Sequence, residues 1–210
     1  MATHAKRIRR LPSDAQREIL DAAETLLGER SFREMSVDEL MARTGMRRSS
    51  FYHYFRSLDD VAIALMRRVQ GEMMEAAAPW LGAAADGDPV VAAERAIHGS
   101  AAIFARHGAV LAAIHEASFL YEKVQDVWRD GVLEDWIRAI ATQLRAQRER
   151  GVTRVEDPEE IARALLLMNT AVFVERLGHQ PADSPESVAE TLTLIWLGAI
   201  YPEAVIARRG

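Results

Sequence analysis

Residues 36–57 read SVDELMARTGMRRSSFYHYFRS, and this stretch predicts two short helices joined at a glycine. Ser36 and Glu39 stand three residues apart, the spacing at which a hydroxyl and a carboxylate exchange hydrogen bonds with otherwise unpaired backbone N–H groups at a helix start. The first helix is therefore expected to begin at Val37. Gly45 supplies the backbone freedom that a tight turn needs, so the second helix follows at once. Two short helices with this connection form a helix-turn-helix, whose second helix lies in the major groove of DNA.

The second helix, expected from Met46 or Arg47, carries a dense set of hydrogen-bond donors that suit phosphate oxygens and base edges. We expect DNA contacts from eight residues of the motif: Ser36, Thr44, Arg47, Arg48, Ser49, Ser50, Tyr52 and His53. The alternative is an ordinary helical hairpin with solvated arginines. An aromatic run favours the first interpretation, because Phe51, Tyr54 and Phe55 can anchor the second helix against the first.

The residues after Gly45 resemble the helix-turn-helix signature of TetR-family transcriptional regulators. That signature runs from a glycine to Tyr-His/Tyr-Phe and then Ser-Lys, and here residues 51–57 read FYHYFRS. The motif lies near the N-terminus, after one amphipathic helix and before a long helical remainder, as it does in that family. Leu58 stands where the family usually has lysine, so the resemblance implies no phosphate contact there. Ser57 is expected to cap the next helix, with Asp60 at its third position.

The composition is that of a globular protein with a sizeable core, since 49% of the 210 residues are hydrophobic and 27% are charged. We find no apolar run of membrane-spanning length and no secretory signal, so a membrane is not expected among the partners. The chain has no cysteine, which excludes disulfides, thiolate metal sites and a cysteine nucleophile. This composition fits a reducing compartment, and a cytoplasmic location is expected.

Positive charge is concentrated near the N-terminus, although the whole chain carries a net charge of −5. Residues 1–60 hold 11 Lys and Arg against 10 Asp and Glu, whereas residues 61–210 hold 15 against 21. A basic arm at residues 6–10 precedes the first helix. It is either a solubilising tail or a contact to phosphates or to the minor groove.

Helical periodicity covers almost all of the chain, and we find no convincing strand alternation. We therefore predict an all-α fold of about nine helices. Besides the two helices of the helix-turn-helix, the helical patterns cover residues 13–29, 58–81, 90–105, 109–119, 123–150, 158–177 and 185–201.

The last two helices are apolar around most of their circumference, at residues 161–174 and 188–201. Such a helix must be buried on more than one side. The TetR resemblance implies that these helices build a four-helix bundle in a homodimer, and a symmetric dimer doubles the DNA contacts of a short recognition helix. The alternative is a fully internal helix in a monomer.

The C-terminal region also resembles the EthR-like branch of the TetR family. The matching segments are ALLLMN at residues 164–169, Gln180-Pro181, Ile195-Trp196 and Ile200-Tyr201. In that branch the core encloses a long, mostly apolar channel, with an asparagine and a tryptophan at the positions of Asn169 and Trp196. The resemblance therefore implies that these two residues bind a small, mostly apolar effector, and an amide such as Asn169 suits a ligand carbonyl or amide. The alternative for Asn169 is a hydrogen bond between helices.

Further ligand-binding candidates lie on the middle helices: Ser100, Phe104, Trp128, Leu133, Trp136 and Ile140. Each aromatic among them is also explained as plain core, because aromatic residues at helical spacing normally pack a bundle. Ala93, Ser100 and Ala139 stand where the branch tends to have bulkier aromatic residues, which predicts a wider or differently shaped channel.

Residues 1–57 are thus expected to form an N-terminal arm and a helix-turn-helix DNA-binding domain, and residues 58–210 a ligand-binding and dimerisation domain. We predict a repressor that binds operator DNA as a homodimer and releases it when the effector binds. The alternatives are an activator of the same fold and a helical adaptor that binds protein. An adaptor leaves the exposed donors around Arg47 unexplained.

An enzyme is the remaining class. His98, His107, His115 and Glu116 have none of the spacings that place metal ligands on one helical face. The sequence shows no nucleophile elbow, no phosphate-binding glycine loop and no dinucleotide fingerprint. We therefore expect no catalysis, no bound metal and no cofactor.

Overall fold

The computed structural model describes residues 12–82, 87–179 and 182–207, and these are almost entirely helical, with no strand among them. Ten α-helices follow one another in this part of the chain: α1 Pro12–Leu27, α2 Val37–Thr44, α3 Arg48–Phe51, α4 Leu58–Leu81, α5 Pro89–Leu120, α6 Glu122–Asp126, α7 Glu134–Glu149, α8 Pro158–Leu177, α9 Pro185–Ile200 and α10 Pro202–Ala207. The all-α prediction is confirmed. The basic arm at residues 6–10 and the Gln180-Pro181 match lie outside the described residues.

The helix-turn-helix forms where the sequence predicts it. α2 begins at Val37, and the Ser36 hydroxyl accepts from the Glu39 N–H at 3.3 Å while donating to the Glu39 carboxylate at 2.9 Å. The bond from Ser36 is the main reason why the pKa of Glu39 lies below its usual value. Gly45 ends α2 with a φ of 64°, a left-handed conformation that glycine adopts without a steric penalty.

The second helix of the motif is short. α3 begins at Arg48, just after the predicted start at Met46 or Arg47, and ends at Phe51, where the chain turns. Phe51 and Phe55 are both buried, and their ring centroids lie 5.8 Å apart. Tyr54 is half-buried against the same core. The aromatic run therefore anchors α3, as expected.

The start of α4 differs from the predicted cap. Ser57 stands at the N-cap, but no N–H group in the described part of the chain donates to its hydroxyl. The Asp60 carboxylate instead accepts from the Arg56 N–H at 2.9 Å. Asp60 also forms an ion pair with Lys123 of α6, and this partner is the main reason why the pKa of Asp60 is lowered. The first turn of α4 is thereby tied to α6.

α5 is one continuous helix where the sequence pattern predicts two, and this prediction is wrong. The predicted break falls at Gly108, which is buried inside α5. A Cβ at this position would lie 2.1 Å from the carbonyl oxygen of Leu177 at the end of α8. Gly108 therefore permits the close approach of two helices and does not interrupt one.

The helix predicted at residues 123–150 contains a change of helical type. After the extended residue Tyr121, α6 leads into a π-helix, Val127–Leu133, which continues directly into α7. π-Helices are rare and often occur at functional sites. This one faces the cavity described below through Trp128, Val132 and Leu133.

The buried residues form two cores. The N-terminal core joins α1 to α3 with the first half of α4 and the second half of α5, and the C-terminal core joins the second half of α4 with α5 and α7 to α9. α4 runs through both cores: Leu65 and Met66 belong to the first, and Ala77 and Trp80 to the second. A movement of α4 therefore displaces residues of both cores.

α5 is long and apolar enough to cross a membrane by length and composition, with a mean hydropathy of 1.3 over an 18-residue window. This corrects the expectation that no apolar run reaches membrane-spanning length. In the fold α5 packs along α4, α8 and α9, and 44% of that window is buried. Its apolar composition is thus accounted for by its place at the centre of the core.

Candidate nucleic-acid interface and ligand cavity

Most of the predicted DNA contacts lie together on or beside α3. Arg47, Arg48, Ser49, Tyr52 and His53 are exposed, and Ser50 is half-buried. We call these six residues the α3 surface. Arg47 forms no ion pair with any described residue, so its guanidinium is free for phosphate or a base edge.

Arg48 is held by neighbours in the absence of DNA. Its guanidinium forms an ion pair with Asp38 of α2 and lies 3.5 Å from the Tyr52 hydroxyl. The Tyr52 hydroxyl and the Asp38 carboxylate, in that order, raise the pKa of Arg48. Arg48 is therefore oriented in advance, but it must exchange Asp38 for a DNA group if it reads a base.

Two of the predicted DNA contacts are engaged inside the motif instead. Thr44 is only 6% exposed, and its hydroxyl donates to the Met41 carbonyl at 2.9 Å and accepts from the Met46 N–H at 3.1 Å. Thr44 therefore shapes the turn, which corrects the expectation that its side chain faces DNA. The Ser36 hydroxyl caps the N-terminus of α2, and a DNA contact from Ser36 stays a prediction.

Ion pairs brace the motif from behind. Arg43 of α2 holds Glu29 with a hydrogen bond of 2.9 Å and a second, shorter one, and Arg30 holds Glu39 at 2.7 Å. The Arg43 bond is the largest cause of the lowered pKa of Glu29. These pairs connect the segment after α1 to α2.

A cavity of about 140 Å³ lies between α4, α5, the π-helix, α7, α8 and α9. One water needs about 10–15 Å³ in this measure, so the cavity is far larger than a packing defect. All eight residues predicted to bind a ligand line it: Ser100, Phe104, Trp128, Leu133, Trp136, Ile140, Asn169 and Trp196. That they contact an effector stays a prediction.

The cavity is apolar and uncharged. Among the described residues that line it, none is Asp, Glu, Lys or Arg. The polar side chains in the lining are Gln70, Ser100, His115, Ser118, Asn169 and Thr170. All four tryptophans of the chain also line it. Within the described residues, no group of His, Asp and Glu is placed to hold a metal ion.

Asn169 makes the helix-to-helix hydrogen bond that the sequence left open, and it lines the cavity as well. The Trp196 Nε1 donates to the Asn169 Oδ1 at 2.9 Å. Because indole N–H groups only donate, this bond fixes the amide with its oxygen toward Trp196. No described residue accepts from the Asn169 NH₂ group, so Asn169 has donors left for a ligand oxygen.

Sequence reasoning missed Trp80, which helps to close the cavity beside Trp196. Their rings meet edge to face at 6.1 Å. The Trp80 indole donates to the Tyr201 hydroxyl at 3.0 Å, and that hydroxyl donates to the Gln147 Oε1 at 2.6 Å. Burial is the main reason why the pKa of Tyr201 is raised. The apolar stripe of α4, which continues to the end of that helix, was the available signal for Trp80.

Sequence reasoning also missed Met66 and His115 as lining residues. Met66 packs in the N-terminal core and lines the cavity at the same time. His115 lies on the cavity face of α5, and burial lowers the pKa of its imidazole. The spacing of His115 from Leu111 and Ser118 was a signal, because these three positions share one helical face.

Two family descriptions match the chain. The one for bacterial regulatory proteins of the tetR family matches residues 19–65, and the one for the C-terminal domain of the transcriptional regulator EthR matches residues 93–202. Together they span the α3 surface and most of the cavity.

Relatives of known name match over nearly the full length. The chain is 34% identical over 198 residues to the HTH-type transcriptional regulator EthR of Mycolicibacterium smegmatis, covering 90% of this chain and 88% of that protein. It is also 34% identical over 196 residues to EthR of Mycobacterium tuberculosis, covering 91% and 90%. A TetR-family transcriptional regulator from Syntrophomonas wolfei has the same fold, with a TM-score of 0.77 at 12% identity over 90% of this chain and 95% of that one.

Proposed function

We propose that this chain, which belongs to the TetR family of bacterial regulatory proteins and has a C-terminal domain of the EthR type, is a ligand-responsive transcriptional repressor. It binds operator DNA as a homodimer and releases it when a small, mostly apolar effector enters the cavity. As a DNA-binding regulator without a membrane partner it acts in the cytoplasm. The observation that carries the proposal is the shared position of α4, which joins the DNA-binding motif to the cavity.

The α3 surface supports the DNA-binding part of this proposal. Arg47 offers a free guanidinium, and the Tyr52 hydroxyl lies beside Arg48, where the two side chains together suit a phosphate. A single α3 of four residues reaches few bases. Two copies related by a twofold axis read two half-sites about one helical turn apart, which multiplies the contacts.

The outer faces of α8 and α9 support the homodimer. Leu194 is 59% exposed on α9, and Ile195 and Leu167 are also exposed. Gly198, one turn beyond Leu194, has open space where a Cβ would stand, with no described atom within 4 Å. Large exposed apolar side chains beside a small residue form a surface that the same surface of a second copy can cover.

The link between effector and DNA passes through α4. Met66 stands at the point where the N-terminal core and the cavity meet, and Met73 and Ala77 line the cavity further along the same helix. An effector that displaces these side chains tilts α4 and changes the distance between the two α3 surfaces of the dimer. The effector releases DNA only by binding one spacing better than the other. A coupling of about 1–3 kcal/mol is typical for such switches.

Selection of operator sequences from random DNA, followed by fluorescence anisotropy, tests the function. The protein should select a twofold-symmetric site, and a neutral long-chain amide such as dodecanamide should release it. Asn169→Leu should impair release while leaving DNA affinity without the amide nearly intact, because Asn169 lines the cavity and no residue of α3 does. An adaptor selects no DNA at all, and an activator of the opposite sign binds its site more tightly when the amide is added.

A further inference from the structure

The cavity has a second polar end that the proposed function leaves unused. Its α5 lining residues recur on one stripe from Ala93 to Ser118, and at 1.5 Å per residue this stripe is about 37 Å long. His115 and Ser118 lie at its far end. We call these two residues the lower polar cluster.

The lower polar cluster is well separated from Asn169. The ring centroids of Phe173 and Phe104 lie 5.1 Å apart, and Leu177 contacts Gly108. These two contacts show that α8 and α5 run in the same direction here. Asn169, one turn before Phe173, is therefore level with the turn of α5 before Phe104. Counting from that turn, His115 lies about 22 Å further along the helix. A single compact group does not reach both ends.

His115 has hydrogen-bonding capacity that the protein does not use. No described residue hydrogen-bonds to its ring nitrogens, whereas its ring is held edge-on by Phe119 at 4.9 Å. Burial lowers the pKa of His115, which favours the neutral imidazole. A neutral imidazole offers one N–H donor and one acceptor nitrogen.

Ser118 adds to this capacity. The Ser118 hydroxyl donates to the His115 carbonyl at 2.7 Å, which leaves the hydroxyl oxygen free to accept. A ligand group that both donates and accepts is therefore matched by the cluster.

The charge of the lining limits the ligand further. With no Asp, Glu, Lys or Arg among the described lining residues, an ionised ligand group would lose its hydration without gaining a counter-ion. A neutral hydroxyl has no such cost. The lower polar cluster thus suits an alcohol and disfavours a carboxylate.

We propose that His115 and Ser118 form a second polar subsite, and that the effector is an elongated neutral molecule with an oxygen acceptor at the Asn169 end and a hydroxyl at the His115 end. This inference rests on the proposed function of the cavity. The subsite adjoins the N-terminal core, because Ile114 beside His115 is buried in that core. A ligand anchored at both ends therefore spans from the C-terminal core to the DNA-binding part of the molecule.

Three small-molecule probes test the subsite in the protein. They are dodecanamide, 12-hydroxydodecanamide, and the same amide with a carboxylate in place of the terminal hydroxyl. Binding is followed by quenching of tryptophan fluorescence and by calorimetry. The hydroxyl probe should bind the natural chain about three- to tenfold more tightly than dodecanamide, the effect of one or two net hydrogen bonds. The carboxylate probe should bind more weakly than either.

The variants assign this advantage to His115. In His115→Leu the hydroxyl advantage should vanish while dodecanamide binds within about twofold of the natural chain. His115→Gln keeps a donor and an acceptor and should retain the advantage, and it serves as the second variant if His115→Leu is unstable. His98→Leu, on the exposed side of α5, is the matched control and should change neither affinity.

The outcomes separate the two proposals. If dodecanamide binds and the hydroxyl gives no advantage, or the advantage survives in His115→Leu, the subsite is wrong and the ligand-responsive function stands. If the carboxylate binds as tightly as the hydroxyl, the neutral ligand class is wrong. If no probe binds the natural chain, the apolar effector and the subsite both fail.

Discussion

Glu24 of α1 is hydrogen-bonded to His107 of α5, so a side-chain contact joins the DNA-binding part of the chain directly to the central helix of the ligand-binding part. The other ring nitrogen of His107 lies 3.3 Å from Glu72 of α4. Arg68 of α4 pairs with Glu24 from the other side. Three helices that must move relative to one another in the proposed switch therefore meet at a single imidazole.

Replacing His107 should loosen this junction. His107→Leu removes the side-chain contacts with both carboxylates while Arg68 still compensates Glu24, so we expect a loss of about 1–2 kcal/mol in the free energy of unfolding. The effector should also release DNA less completely, because α1 no longer follows α5. Chemical denaturation and anisotropy measure the two effects. His98→Leu is the control on the same helix, and equal behaviour of the two variants would refute the role of His107.

Asp60 should make stability depend on acid pH. Its pKa is lowered in the folded state, chiefly by Lys123, so the folded protein favours the carboxylate more than the unfolded chain does. The stabilisation is full above the ordinary pKa of 3.8 and is lost as the pH falls through the lower folded value. Asp60→Asn should therefore melt at a lower temperature at pH 6, and the difference should shrink toward pH 3. A difference that is constant with pH would contradict this account.

Asp38 should restrain Arg48. In Asp38→Asn the Arg48 guanidinium has no ion pair with residue 38 to break before it contacts DNA. The motif also loses one negative charge. We expect tighter binding to both operator and unrelated DNA, with a larger relative gain for unrelated DNA.

Arg47→Ala should instead weaken operator binding by about tenfold or more and relax its sequence preference. Arg138→Ala, on the exposed face of α7, is the control for the loss of a surface arginine.

Gly108 should tolerate no side chain. The Cβ of Gly108→Ala would stand 2.1 Å from the Leu177 carbonyl oxygen, so α5 and α8 must separate. We expect a loss of about 1–3 kcal/mol in unfolding free energy. Gly71→Ala in α4, where no described atom lies within 4 Å of the new methyl group, is the matched control and should stabilise by about 0.5–1 kcal/mol. A similar gain in both variants would show that helix propensity outweighs the close approach of Leu177.

The proposed dimer should depend on Leu194. Leu194→Glu places a charge on the exposed apolar face of α9, where a partner would have to desolvate it. The variant should sediment as a monomer at micromolar concentration and lose most of its affinity for a two-half-site operator. Leu120→Glu, at an exposed apolar position at the C-terminal end of α5, should leave sedimentation unchanged. A Leu194→Glu variant that remains a dimer would place the interface elsewhere.

The local parts of the fold were predictable and the tertiary parts were not. Ser36 and Gly45 act on their own neighbours, so the start of α2 and the turn after it follow from the sequence. Gly108 carries the same local signal as a helix breaker, and only the approach of Leu177 explains why the helix continues. The π-helix Val127–Leu133 has no signal that distinguishes it from an α-helix in the sequence.

The candidate sites show the same division. The resemblance to EthR-like chains pointed to Asn169 and Trp196, and both line the cavity. Thr44 was misjudged because residue type does not reveal that its hydroxyl is turned into the motif. His115 has no metal-ligand spacing in the sequence, and its significance depends on which face of α5 lines a cavity. The boundary at residue 57 stays a prediction, although α4 contributes to both cores.

The uncharged lining of the cavity has a consequence for how the two halves of the molecule respond to ionic strength. DNA binding by Arg47 and its neighbours releases counterions, so its affinity falls steeply as salt is added. Entry of a neutral molecule into a cavity without described charged side chains exchanges no ions. Added salt therefore weakens DNA binding and leaves effector binding nearly unchanged. The effector should thus release DNA most easily at high ionic strength.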